Sequence, residues 1–259
     1  MNYELSLILG LALAAAFAGF VDAIVGGGGL IQIPALFGFL PQHAPATLFG
    51  TNKCASVVGT SSAAWRYVNH ARHVAMPWRT VLPAAGAAFA FSYGGAAAVA
   101  WLPKEMLRPL ILCLLIGAAV YTFRKKDFGA LHAPQHSGRR ETAYAVLLGG
   151  VIGFYDGFFG PGTGSFLIFL FIRYFGFDFL HASAAAKIVN MATNVAALAF
   201  FLPHGHVLPL LAVVMALCNL CGAIAGAHLA LKHGSGFVRT IFLGVVGALI
   251  LRFAYDTWR

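Results

Sequence analysis

Charge is what this sequence has least of. Only 10% of its 259 residues are Asp, Glu, Lys or Arg, whereas soluble domains carry about 25%. With 60% hydrophobic residues, the chain has too few charged side chains to cover a surface that faces water. The composition excludes an ordinary soluble domain and predicts an integral membrane protein.

Acidic residues are the scarcest charged group, with eight Asp and Glu against 17 Lys and Arg and a net charge of +9. So few carboxylates leave little material for acid–base catalysis. No Ser/His/Asp grouping, H-E-x-x-H motif or ATP-binding motif occurs in the sequence. We therefore expect no enzymatic activity and no cofactor.

Basic residues lie in short segments between apolar blocks, a pattern that sets orientation in a membrane and does not indicate nucleic-acid binding. We predict that the central connector, residues 125–140, is cytoplasmic, and we expect no nucleic-acid partner. The densest basic cluster comprises Arg124, Lys125, Lys126, Arg139 and Arg140.

Cysteine is also sparse, and four cysteines are too few for a disulfide framework. Cys218 and Cys221 have C-x-x-C spacing, but they lie in an apolar segment with no βαβ pattern, so redox chemistry is not expected. The ten histidines include no pair with ligand spacing on one helix face, and no carboxylate accompanies them. We therefore expect no metal site.

Long apolar blocks are abundant, and they predict membrane-spanning helices because about 20 apolar residues cross the ~30 Å hydrocarbon core. The N-terminal block has no basic residue before it, so we do not expect it to be a cleaved signal peptide. The blocks are Leu5–Val25, in which Asp22 is the charged residue, Val81–Leu102, Leu110–Phe123 and Ile241–Leu251.

The second half of the sequence repeats the first, in a register that needs no gap from Gly19 to about Val74. The tetrapeptide Gly-Phe-Val-Asp, which begins at Gly19, returns as Gly-Phe-Tyr-Asp, which begins at Gly153. In the same register Lys53 returns as Lys187. His70 likewise returns as His204. We predict two homologous halves, residues 1–124 and 141–259, joined by the connector 125–140.

Each half has the same order of segments. An apolar helix runs into a glycine-rich break, followed by an apolar segment of about 11 residues, which is too short to cross the bilayer alone. A helix with embedded polar residues and two further apolar helices follow. We predict an all-α membrane protein with about eight transmembrane helices, each half containing a Gly-broken or re-entrant helix. Ten crossings with inverted repeats remain an alternative. The short segments are Leu30–Leu40 and Ser165–Phe175; the polar helices are Ala46–Tyr67 and His181–Leu202.

The two glycine-rich breaks are candidate substrate-binding elements. Unwound backbone in a membrane is tolerated only inside protein or beside a water-filled cavity, and a helix broken at the same place in two repeats is typical of a transporter site. The N-terminus of the following short helix favours an anion. Close helix packing through small residues is the alternative. The candidates are Gly26, Gly27, Gly28, Gly29, Gly160, Gly162, Thr163 and Gly164.

A polar stripe on the third segment of each half is the second candidate. Lys53, Ser56 and Thr60 follow the spacing i, i+3, i+7 and therefore share one helix face. Lys187, Asn190 and Asn194 occupy the same positions of the repeat. A lysine at this depth costs ~3 kcal/mol, which an anion between two ammonium groups would offset. Lysines that snorkel towards the interface are the alternative.

Asp22 and Asp156 each precede a glycine-rich break by a few residues. Three roles remain open for them: proton coupling by a carboxyl in a desolvated site, a structural ion pair with Lys53 or Lys187, and a polar cap at the broken helix.

These motifs resemble those of the TauE/SafE family of sulfite and organosulfonate exporters. The resemblance rests on residues 19–30, Pro34, residues 46–51, residues 150–153 and residues 160–165. It implies a multi-pass permease of the bacterial inner membrane with about eight helices, handling sulfite, sulfoacetate and similar sulfur anions. The first break has four plain glycines, whereas the second contains proline and threonine, so the two halves are expected to contribute unequally.

We therefore expect a secondary transporter for a small anion, sulfite or an organosulfonate, with the lipid bilayer as its surroundings. An anion channel with the same lining is one alternative. An intramembrane enzyme that handles sulfur through Cys54 or Cys218 is another. Small-residue faces at Gly94-Gly95, Gly222 and Gly226 suit packing within one chain or in a homodimer.

Overall fold

A computed structural model describes residues 4–69, 76–99, 132–133 and 137–258. Within these residues every regular element is a helix, which confirms the all-α prediction. His70, the apolar block Leu110–Phe123 and most of the connector 125–140 lie outside the described residues, so the boundaries of the two halves stay predictions. The helices are α1 Leu5–Val25, α2 Gly29–Phe39, α3 Pro45–Asn69, α4 Trp78–Ala98, α5 Gly138–Phe158, α6 Thr163–Phe175, α7 Phe179–Phe201 and α8 Pro209–Trp258.

Four of the described helices contain stretches long and apolar enough to cross a membrane: α1, α4, α7 and, in α8, Pro209–Val245. The short helices α2 and α6 have 11 and 13 residues, too few to cross ~30 Å of hydrocarbon. Both short helices begin close to their predicted starts. The fold is that of an all-α membrane protein, and the number of crossings stays a prediction.

Corresponding helices recur in the register of the sequence repeat. Helices α6 and α7 begin at the repeat counterparts of the first residues of α2 and α3, and α5 begins immediately before the counterpart of the first residue of α1. Helix α8 takes the place of α4, with a small shift in register. The most extensive packing is reciprocal, since α1 packs against α8 and α4 packs against α5. Each half thus places its first helix against a helix of the other half.

Small residues create these contacts between the two halves. A Cβ atom at Gly95 would overlap the carbonyl oxygen of Phe154, and one at Gly226 would overlap that of Phe20. The two contacts are equivalent, because Phe154 is the repeat counterpart of Phe20 and α8, which carries Gly226, is the counterpart of α4. A Cβ atom at Gly222 would likewise meet α1. These glycines therefore pack helices within the chain.

Helix α8 is broken at Gly234, whose φ of 72° is left-handed, a conformation that glycine adopts without steric cost. The break separates residues 209–233 from residues 235–258. The second of these parts contains the predicted apolar block Ile241–Leu251.

Candidate functional site

The two glycine-rich breaks meet each other. Gly26, the residue that follows the end of α1, has φ of 75°, and Gly160 and Gly162 after α5 have φ of 90° and 83°. Gly26 and Gly164 lie so close that a Cβ atom on either would overlap the backbone of the other. The crossing therefore requires close packing of glycines and leaves the backbone unwound. Substrate binding by these glycines stays a prediction.

Hydroxyl groups satisfy the last carbonyls of α1, which lack partners within the helix. Three successive carbonyl oxygens each accept one hydroxyl, two of them from the second half of the chain. The sequence interpretation missed Tyr67 and Ser183 in this role, although hydroxyls on apolar helices beside a break are a usable signal. The bonds run from Tyr67 to Ala23 at 3.0 Å, Ser183 to Ile24 at 2.8 Å and Ser165 to Val25 at 2.8 Å.

Each lysine of the polar stripes forms an ion pair with an aspartate of the other half. Lys53 Nζ lies 2.6 Å from Asp156 Oδ2, and Lys187 Nζ lies 3.1 Å from Asp22 Oδ2. The Lys187 side chain is fully buried and that of Lys53 is 4% exposed, so the snorkelling alternative is wrong. Among the roles left open for the aspartates, the structure contains the ion pair.

The two ion pairs differ in their surroundings. Asp156 is 2% exposed and lies at the shorter distance, whereas Asp22 is 13% exposed and also accepts a hydrogen bond from Thr60 Oγ1 at 3.3 Å. Thr60, a substrate-binding candidate from the sequence, thus donates a hydrogen bond to Asp22. The pair of Lys53 and Asp156 is the more tightly enclosed one.

A cavity of about 20 Å³ lies between the two breaks and the two polar stripes, large enough for about one water molecule. The lining brings together predicted site residues from four segments that are distant in sequence. Its residues are Asp22, Gly26, Gly29, Asn52, Lys53, Ser56, Asp156, Gly160, Thr163, Gly164, Asn190 and Asn194.

All of these lining residues except Asn52 were candidates from the sequence. Asn52 was not among the candidates because it lies one position off the i, i+3, i+7 stripe that contains Lys53. The remaining candidates are near the cavity but not in the lining that the described residues form: Gly27, Gly28, Thr60, Gly162 and Lys187.

Two residues of the cavity lining each have a polar side-chain atom without a partner among the described residues. Asn52 Oδ1 and Asn194 Nδ2 are buried and lack a hydrogen-bond partner among the described residues. Helices α2 and α6 begin at the cavity, at Gly29 and Thr163, and no described side chain caps either N-terminus. Buried polar groups normally find partners, and helix N-termini attract anions. The arrangement suits a small polar ligand with acceptor oxygens.

No described histidine or cysteine lines this cavity. His204 is exposed, with its ring Nδ1 2.7 Å from the carbonyl oxygen of Phe200. Among the described residues Cys54, Cys218 and Cys221 are free thiols, and none lines the cavity.

The expectation that no carboxylate accompanies a histidine is wrong at one place. Asp178 caps α7 by accepting the backbone N–H of His181 at 2.8 Å, and its Oδ2 lies 2.9 Å from His181 Nδ1. The signal was present as an N-cap aspartate shortly before a histidine in the first turn of the helix.

Comparison with known proteins matches this chain almost from end to end. A family model described as "Sulfite exporter TauE/SafE" matches residues 11–253. The chain is 36% identical over 246 residues to a Sinorhizobium protein named probable membrane transporter protein ORF9, covering 95% of this chain and 92% of that protein. It is 32% identical over 252 residues to probable membrane transporter protein YfcA of Escherichia coli K12, covering 97% of this chain and 91% of that protein. No solved structure matches.

Proposed function

The chain belongs to the TauE/SafE family of membrane transporters, and from that premise we propose that it carries a small oxyanion, sulfite or an organosulfonate, through the cavity between its two halves. The observation that carries this proposal is the buried cavity itself. It joins two unwound breaks, two helix N-termini, a lysine and two asparagines, each with an amide atom that has no hydrogen-bond partner among the described residues.

The charges around the cavity set the conditions for anion binding. Two lysines and two aspartates balance each other, so an incoming anion has to compete with a carboxylate for an ammonium group. Lys53 is the ammonium group in the lining, and Asp156 is the carboxylate that holds it. A displaced carboxylate in a dry site is stable only if it takes up a proton or finds another partner.

This competition makes Asp156 the first candidate for proton coupling and Asp22 the second. When the anion binds Lys53, Asp156 accepts a proton, and the cavity keeps its charge balance. Release of the anion on the other side returns the proton and restores the ion pair. Asp22 keeps Lys187 and Thr60 as partners during this exchange and serves mainly to hold the halves together.

The small volume of the cavity favours a transporter over a channel. Because a space of about 20 Å³ holds about one water molecule, we expect the site to widen when an oxyanion of several heavy atoms binds and to close again afterwards. A channel would instead need a continuous path. The free thiols of Cys54 and Cys218 lie outside the lining, which disfavours sulfur chemistry on either of these two cysteines.

The proposed setting is the inner membrane of a bacterium, with the basic connector 125–140 in the cytoplasm. There the potential, negative inside, favours anion exit by ~2.3 kcal/mol per charge and 100 mV. That gain applies to an anion that moves alone. Coupling to one proton cancels it for a monovalent anion, so transport by the proposed cycle follows the pH gradient and the anion gradient.

Thermal-shift binding with purified protein tests the site and the substrate class. Sulfite, sulfate, sulfoacetate, taurine and chloride are compared on the wild type, on Lys53→Ala/Lys187→Ala and on Lys232→Ala, whose lysine is exposed. We expect one sulfur oxyanion to raise the Tm of the wild type and of Lys232→Ala but not of the double variant. No shift with any anion, or equal shifts in all three proteins, would contradict the proposal.

A further inference from the structure

A second cluster of polar side chains lies where three segments of the chain meet. His132 precedes α5, Asp178 and His181 stand at the start of α7, and Ser235 follows the break in α8. One ligand atom from each of His132, Asp178 and His181 lies within 4.8 Å of the other two. None of these residues lines the cavity between the halves.

We propose that His132, Asp178 and His181 form a binding site for a divalent transition-metal ion of the zinc type. Two imidazoles and one carboxylate are a ligand set that Zn²⁺ accepts, with a fourth position left for water. His132 is exposed and the other two residues are half-buried, so an ion can reach the site from solvent.

Neighbouring groups hold the ligands in place, as outer hydrogen bonds do around metal sites. The backbone N–H of His181 fixes the Asp178 carboxylate at 2.8 Å. Ser235 accepts the backbone N–H of Leu180 at 3.2 Å, which ties the start of α7 to the break in α8. On the other side, the N–H of Ala133 donates to the carbonyl of Gly176 at 2.8 Å and anchors the residue next to His132.

Metal binding requires one side-chain movement. The rings of His132 and His181 are stacked, with centroids 4.0 Å apart and planes 26° apart, so their nitrogens do not converge on one point. His181 is held by Asp178, whereas the exposed ring of His132 packs against the rings of His181 and Phe177. Metal binding therefore requires His132 to leave this stack. The bound ion would then join the segment before α5 to the N-terminus of α7, the helix that carries Lys187.

Isothermal titration of the purified full-length protein with Zn²⁺ tests this site, with metal content as a second readout. We expect one Zn²⁺ per chain, and at least about tenfold weaker binding in each of His132→Ala, Asp178→Asn and His181→Ala. His204→Ala, which changes an exposed histidine elsewhere, and Asn194→Ala, which changes a residue of the cavity lining, should both bind Zn²⁺ like the wild type.

His132→Ala is the decisive variant, because removing an exposed ring leaves the cap of α7 and the fold intact. Absence of Zn²⁺ binding to the wild type, or wild-type affinity in His132→Ala, would overturn the proposal. The variant Asn194→Ala separates the two proposals, since it weakens the proposed anion site but leaves the metal ligands in place.

Discussion

At the scale of the residue, the decisive feature is that each buried ion pair joins a lysine of one half to an aspartate of the other half. Lys53 pairs with Asp156, and Lys187 pairs with Asp22. Each half brings one buried cation and one buried anion, and neither pair can form without the other half. Removing one partner of such a pair is strongly destabilising because the other charge stays buried.

Lys53→Ala is therefore expected to lower the free energy of unfolding by about 3–5 kcal/mol, because it leaves the Asp156 carboxylate in a dry site. Chemical denaturation in detergent measures the change, with Lys232→Ala as the exposed control. The swapped double variant Lys53→Asp/Asp156→Lys should recover part of the loss. Equal stability of Lys53→Ala and Lys232→Ala would show that the pair does not hold the halves together.

Substitutions at two asparagines with different surroundings distinguish an effect on ligand binding from an effect on stability. Asn194 Nδ2 has no partner among the described residues, whereas Asn219 Nδ2 donates to Gln32 Oε1 at 2.9 Å. Asn194→Ala should weaken oxyanion binding about tenfold, by the ~1.5 kcal/mol of a hydrogen bond to a charged group, and leave the Tm unchanged. Asn219→Ala should lower the Tm and leave affinity unchanged. The reverse pattern, measured by titration and thermal unfolding, would exclude Asn194 from the site.

At the scale of the element, helix pairs are built on close approach at single small residues. Gly95 on α4 faces the backbone of α5, whereas no described atom lies within 4 Å of a Cβ placed on its neighbour Gly94. Glycine-to-alanine substitutions at these two neighbours form a matched pair. The chemical change and the change in helix propensity are the same, and only the packing around the added methyl group differs.

Gly95→Ala is expected to destabilise the protein by about 1–3 kcal/mol, since the added methyl group forces α4 and α5 apart. Gly94→Ala should be neutral or slightly stabilising because alanine favours the helix more than glycine does. Thermal unfolding of both variants provides the comparison. A loss at Gly94 as large as that at Gly95 would mean that backbone freedom, and not packing, sets the cost.

Local sequence patterns predicted which segments form helices better than they predicted which residues contact each other. Helix geometry alone places Lys53, Ser56 and Thr60 on one face, because their spacing is i, i+3, i+7. The short helices were predictable from the length of the two short apolar segments. The pairing of Lys53 with Asp156 depends on how the halves interlock, which no local pattern encodes. For the same reason the grouping of His132 with Asp178 was not predicted, since the residues are far apart in sequence.

At the scale of the whole molecule, the two halves enclose one charge-balanced cavity. Binding of a monovalent anion together with one proton keeps that balance throughout the cycle. Flux in proteoliposomes should then respond to a pH gradient, with a more acidic lumen accelerating efflux from that lumen, and should be insensitive to a potassium diffusion potential. Asp156→Asn should abolish the response to pH. Flux that follows the potential and ignores the pH gradient would contradict coupling while leaving anion transport intact.

Efflux of radiolabelled sulfite from proteoliposomes is the most direct measurement of the central claim, that an oxyanion passes through the cavity at Lys53. The wild type, Lys53→Ala and the exposed control Lys232→Ala are compared at equal reconstituted amounts, with excess unlabelled sulfoacetate as competitor. We predict saturable efflux that the competitor inhibits in the wild type and in Lys232→Ala, and background efflux in Lys53→Ala. Efflux at the wild-type rate in a correctly folded Lys53→Ala protein would contradict the proposed pathway.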